Sequence, residues 1–144
     1  MDNNAILGLI LDIGSEMIMS GAETHRVEDS LYRLCTAYGF TSRNVWVVPS
    51  NIQATVTDPS GAVLTQIRHV RAVGADFDKL DRLNDLCRRC CRELPDEKEF
   101  AEKLEHASEP RPCARWVCYP AAVLSAVDRG TFRSERKMKD TGAL

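Results

Sequence analysis

RNVWVVPSNIQATVTDPSGAVLTQIRHV, residues 43–70, breaks the hydrophobic rhythm of the chain on either side and so decides the fold class. RNVWVVP is β-branched and aromatic, and in NIQATVT the residues Ile52, Ala54 and Val56 alternate with Gln53, Thr55 and Thr57. A period of 2 sends successive side chains to opposite faces of a strand, apolar toward a core and polar toward water. DPSG, residues 58–61, then places Pro and Gly at the second and fourth positions of a type I turn. AVLTQIRHV returns as the hairpin partner. The segment predicts a three-stranded antiparallel sheet with one face packed on helices.

Outside this segment the period is 3.6. Residues 4–19 place Ile6, Ile10, Ile13 and Met17 on one helical stripe, and Leu7, Leu9, Leu11 and Ile18 widen it until more than one side needs cover. Ser20 followed three residues later by Glu23 predicts a capping box at the head of a second helix. That helix buries Val27, Leu31, Leu34, Cys35 and Tyr38 and ends at Gly39, where a left-handed cap is wanted. Beyond the sheet, residues 77–94 predict a helix burying Phe77, Leu80, Leu83, Cys87, Cys91 and Leu94. Its outer face carries Asp78 with Arg82 and Asp85 with Arg89 in the favourable i, i+4 order. A shorter helix over 96–107 packs through Phe100 and Leu104, and the two prolines of SEPRPC (108–113) end regular structure.

Helices segregated from strands in the order ααβββαα define an α+β class rather than alternating βαβ units. The expected organisation is one domain over residues 1–108. Residues 109–144 are expected to be an irregular, Pro-containing linker and basic tail, disordered or the start of a truncated membrane helix.

Charge sharpens this division. Residues 1–109 hold 12 Lys/Arg against 18 Asp/Glu, whereas residues 110–144 hold 7 against 3. The acidic body speaks against nucleic acid as a partner, and the basic end reads as a solvated tail. The opening MDNN is acidic where a secretory leader is basic. The six cysteines are therefore expected as reduced thiols in a cytoplasmic setting. AILGLILDIG is interrupted by Asp12 and then Glu16, well short of the roughly 20 apolar residues that cross a bilayer.

The densest chemistry lies in GAETHRVEDSLYRLCTAYGF, residues 21–40. His25 and Asp29 stand one helical turn apart and Glu28 is three residues from His25, a grouping able to serve as an acid–base pair or a metal site. No second His follows at i+4, so a zincin-type site is excluded. Acidic residues in a first turn also stabilise the helix dipole without further role. Arg68 or His69 could join the cluster in a polar pocket shared with the sheet.

Cys87-x-x-Cys90 with Cys113-x4-Cys118 has the thiolate count of a zinc site. However, the first pair falls inside a helix rather than on a knuckle turn, and Cys87 and Cys91 sit on the apolar stripe as small hydrophobes. There is no GxSxG elbow and no glycine-rich phosphate loop. These residues assign no catalytic group, no metal and no cofactor.

SGAETHRVEDSLYRLCTAYGF, VVPSNIQATV and TQIRHVRAVGADFDKLDRLNDL together resemble the N-terminal hydrophilic domain of the threonine/serine exporter family, over residues 5–107. The most specific element is G-x-E-x-x-R-V-E on Gly21, Glu23, Arg26, Val27 and Glu28. The resemblance implies a non-enzymatic domain at the cytoplasmic face of the cell membrane, acting in gating, ligand sensing or partner contact rather than transporting alone. It implies a membrane-helix component of the same system as partner, and threonine, serine or, in two-component relatives, a dicarboxylate as solute. It carries Glu23, Arg26, Glu28 and Arg68 over as contact positions; His25 joins them on chemical grounds.

Members of the family continue into a long apolar run. Here ARWVCYPAAVLSAV (114–127) begins one and then gives way to the polar DRGTFRSERKMKDTGAL, so a truncated, frame-altered or split member is expected. Two rivals stand beside this reading. One is a small hydrolase-like or metal-dependent enzyme using His25, Glu28 and Asp29. The other is an interaction module that forms homo-oligomers through Ile6, Leu7, Ile10 and Leu11 of the first helix.

Overall fold

The computed structural model describes residues 2–71 and 74–110. Its elements follow in the order α1 (Asn3–Met19), α2 (Thr24–Ala37), β1 (Thr41–Val48), β2 (Asn51–Thr57), β3 (Val63–His69), α3 (Phe77–Glu93) and α4 (Glu97–Ser108). The strands form one antiparallel sheet in the order β1-β2-β3. This is the α+β arrangement that the change of period predicts. Met1–Pro110 forms one compact unit; the linker and tail expected over 109–144 lie, from residue 111 on, outside the described residues.

Alternation does in β2 what the sequence requires of it. Ile52, Ala54 and Val56 are buried, while Gln53, Thr55 and Thr57 are not. The opposite face of the sheet carries the row Trp46–Gln53–Ile67, and Trp46 is 63% exposed. The hairpin turn closes with Gly61 N–H donating to Asp58 C=O at 3.0 Å. The Asp58 carboxylate accepts from Ser60 Oγ (2.6 Å), Ser60 N (2.8 Å), Ala62 N (2.9 Å) and Asn3 Nδ2 (3.2 Å), tying the turn to the start of α1.

Helix α1 is the centre of the domain. Ile6, Leu7, Ile10, Leu11, Ile13, Met17 and Ile18 are all buried, because α2, α3, α4 and the sheet each pack against it. The expectation that its apolar face could drive homo-oligomers is corrected by this burial: Ile6, Leu7, Ile10 and Leu11 expose nothing to a partner. Gly14 permits the closest approach, since a Cβ there would stand 2.9 Å from Leu31 Cδ1 and 3.2 Å from Ile52 Cδ1. Helix α4 is fixed by Asp96, which accepts from Glu99 N at 2.9 Å as N-cap, and by Phe100, whose ring stacks on Tyr38.

Two local expectations are overturned. Ser20 is not an N-cap: its backbone N–H still donates into the last turn of α1, to Glu16 O and Met17 O, and its hydroxyl donates to Glu16 O at 2.8 Å. Helix α2 begins later, with Glu23 itself at the N-cap and no side-chain capping bond. The spacing Ser20–Glu23 matched a capping box only because the turn between the helices is four residues long, with Ser20 its first residue and Glu23 its last.

In α3 the buried stripe runs Leu83, Leu86, Cys87, Cys90, with Leu80 and Cys91 partly covered. Phe77 is 73% exposed and Leu94 46% exposed, contrary to expectation. Phe77 is the first helical residue, and Leu94 is the left-handed C-cap at φ 47°, so neither continues the helical phase of the core.

Candidate functional site

The charged head of α2 sits on the surface. Glu23, His25, Arg26 and Asp29 are exposed and Glu28 is half-buried. With the capping box absent, the Glu23 side chain makes no local cap bond and projects from the turn between α1 and α2. Gly21 holds that turn at φ +93°, and a Cβ there would stand 2.9 Å from Gly74 O. The backbone just before Gly21 is pinned to the segment leading into α3, by Gly74 N donating to Met19 O (2.9 Å) and Asp76 N to Ser20 O (3.1 Å). The glycine of the G-x-E-x-x-R-V-E pattern is thus a conformational requirement.

The acid–base pair expected of His25 and Asp29 does not form. Asp29 is taken by Arg33, one turn further along α2, at 2.7 Å. Among the described residues, no group of three or more His, Cys, Asp and Glu is placed to hold a metal ion. Cys113 and Cys118, the second half of the proposed four-thiolate set, lie outside the described residues.

Arg26 instead opens a cleft between α2 and α3. The cleft has a volume of about 200 Å³; α2 contributes Arg26, Asp29, Ser30 and Arg33, and α3 contributes Asn84, Cys87, Arg88 and Cys91. Two polar groups in it are already engaged by backbone: Ser30 Oγ donates to Arg26 O (2.9 Å), and Asn84 Nδ2 donates to Leu80 O (2.9 Å). Arg88 reaches Asp85 only at 3.9 Å. Arg26 makes no ion pair among the described residues.

The thiols at the bottom are poor nucleophiles. Burial pushes Cys87 up to about 12 and raises Cys91, against the smaller opposing effect of Arg33.

Arg68 belongs to a different place. It lies on β3, in a groove of about 390 Å³ with Asn4, Gly8 and Asp12 of α1, Gln66 of β3, and Glu97 and Lys98 of α4. Its Nε donates to Asp12 Oδ1 at 2.6 Å. Gly8 makes room for it, since a Cβ there would come within 3.1 Å of Arg68 Nη2. Neither Arg68 nor His69 lines the cleft beside Arg26, so the pocket expected to join the α2 head to the sheet is in fact two separate grooves.

Arg33 and Arg88 escaped the reading of the sequence, as did Asp12. Arg26, Ser30 and Arg33 fall on one face of α2 at i, i+4 and i+7, a signal that was available. Nothing in the sequence announced that Arg88 would face them.

The small α+β domain thus bears a charged helix head and two separate grooves lined by polar side chains. The chain belongs to the threonine/serine exporter family: the ThrE family model, described as "Putative threonine/serine exporter", matches residues 8–132. The match covers most of the chain and runs past the boundary expected at residue 108. No curated protein and no solved structure matches the chain. Among the described residues no helix is long and apolar enough to cross a membrane.

Proposed function

We propose that this chain is the domain of a threonine/serine-exporter-type system that stands at the cytoplasmic face of the membrane and works by contact. In this reading it gates or senses, carrying out no reaction of its own, and the membrane-helix part of the system supplies the permeation path for threonine, serine or a dicarboxylate. The observation that carries the reading is the family match over residues 8–132, joined to the exposed α2 head that holds the family pattern. Glu23, His25 and Glu28 form the contact face, with Arg26 at its boundary with the α2–α3 cleft; Arg68 stands apart from it, paired with Asp12 across β3 and α1.

The hydrolase-like alternative gains nothing from the geometry, because Asp29 is committed to Arg33 rather than to His25.

Co-purification of the chain with the membrane-helix part of its own system tests the contact. Reversing charge with Glu23→Lys and Glu28→Lys is expected to abolish it while the far-ultraviolet dichroism stays unchanged. Retention of the complex by the doubly reversed chain would refute the assignment of the α2 head as the contact face.

A further inference from the structure

The α2–α3 cleft concentrates positive charge where the rest of the domain is acidic. Residues 1–109 carry 12 Lys/Arg against 18 Asp/Glu, yet the cleft is lined by three guanidinium groups, those of Arg26, Arg33 and Arg88, and one carboxylate, that of Asp29. The carboxylate is spoken for, bonded to Arg33 at 2.7 Å. Arg26 has no ion-pair partner among the described residues, and Arg88 holds Asp85 only loosely at 3.9 Å. Two arginines on opposite walls of one cleft therefore keep donors to spare, and between them lie Asn84, whose amide oxygen and second N–H remain available, and the uncharged thiols of Cys87 and Cys91.

We infer that this cleft binds a small dianionic oxyanion, a dicarboxylate or a phosphate. Guanidinium groups present parallel N–H pairs that match the oxygens of either group, and two of them, one on each wall of a single cleft, favour a ligand that carries two negative charges. A volume of about 200 Å³ is below the range of drug-sized pockets, which begins at roughly 300 Å³. It is therefore sized for a small solute. A zwitterionic amino acid is disfavoured, because its ammonium group would enter among three guanidiniums with Asp29 already engaged. The cleft is on this account a sensing site distinct from the route of an amino-acid cargo. The inference gives the sensing role a ligand class and rests on the proposed function only for its biological purpose.

Titration of the full chain with sodium succinate, and separately with sodium phosphate, followed by amide NMR at low ionic strength, tests it. Saturable shifts are expected at Arg26, Ser30, Asn84, Arg88 and Cys91 with at least one of the two anions, and the tighter one identifies the source. Arg26→Gln and Arg88→Gln are each expected to weaken binding by about tenfold, the loss of one charge-assisted pair. Arg92→Gln, an exposed cation of α3 outside the cleft, is expected to leave it within about twofold. Absence of saturation with both anions, equal weakening by all three variants, or threonine binding as tightly as succinate at the same residues would overturn the assignment. Because co-purification is tested through Glu23 and Glu28, a failed titration beside an intact complex removes the cleft site alone, and the reverse result removes the contact face alone.

Discussion

The Arg68 guanidinium donates through Nε to the Asp12 carboxylate at 2.6 Å, joining the last strand of the sheet to the central helix. Both side chains are partly exposed, at 34% and 43%, so water screens the attraction. A double-mutant cycle of Arg68→Ala and Asp12→Ala, read by urea unfolding, is expected to give a coupling of about 0.2–1 kcal/mol. A coupling several times larger would mean that the pair is the main fastening of β3, which the geometry does not support.

Gly21 and Gly61 both hold positive φ, at +93° and +90°, but only Gly21 is crowded. A Cβ at Gly21 meets the Gly74 carbonyl oxygen at 2.9 Å, whereas nothing lies within 4 Å of one at Gly61. Gly61→Ala is expected to cost about 1–2 kcal/mol for the left-handed backbone alone. Gly21→Ala adds displacement of a pinned backbone and is expected to cost at least about 2 kcal/mol. Thermal unfolding of the two variants side by side checks the order.

Asp58 gives the domain an acid-sensitive clasp. The Ser60 hydroxyl bond first, and the Ala62, Asn3 and Ser60 N–H donors with it, lower its carboxyl to about 2 from an ordinary 3.8. The folded form thus binds this proton less readily than the unfolded chain. The stabilisation is complete above the ordinary value and is lost as pH falls from about 4 through about 2. Asp58→Asn is expected to flatten the pH dependence of unfolding in that window, and a carboxyl NMR titration of the wild type is expected to show the low midpoint directly.

Burial raises Cys35 and Cys87 to about 12 and Cys90 to about 11. Cys91 is raised as well but is the least covered of the four. Iodoacetamide at pH 8, with sites mapped by mass spectrometry, is expected to label Cys91 first among these four and to reach Cys35, Cys87 and Cys90 only on unfolding. Rapid labelling of Cys87 in the folded chain would contradict its place on the core stripe.

The fold was legible where period and turn chemistry agreed. Ile52, Ala54 and Val56 against Gln53, Thr55 and Thr57, followed by DPSG, left one arrangement open, and the structure has it. Boundaries were harder. Ser20 and Glu23 satisfied the spacing of a capping box, yet the hydrogen bonds of Ser20 belong to the helix behind it. Spacing along a chain does not say which helix a turn residue serves. Of the site, Arg26 was found, but its companions Arg33 and Arg88 were not. The face that Arg88 shows depends on how α3 rotates against α2, and Phe77 and Leu94 had pointed to a different rotation. Arg68 was singled out for the α2 cluster and belongs to Asp12 instead, because β3 packs beside α1.

The central claim is that the chain serves a transport system through the head of α2. Its most direct test is efflux of threonine, serine and succinate from cells holding the membrane-helix part of the system, with the wild-type chain, with the Glu23→Lys/Glu28→Lys chain, or with neither. The account predicts that efflux of at least one solute requires the wild-type chain and falls to the level without it when the two charges are reversed at equal abundance. Efflux that proceeds equally in all three strains would contradict it.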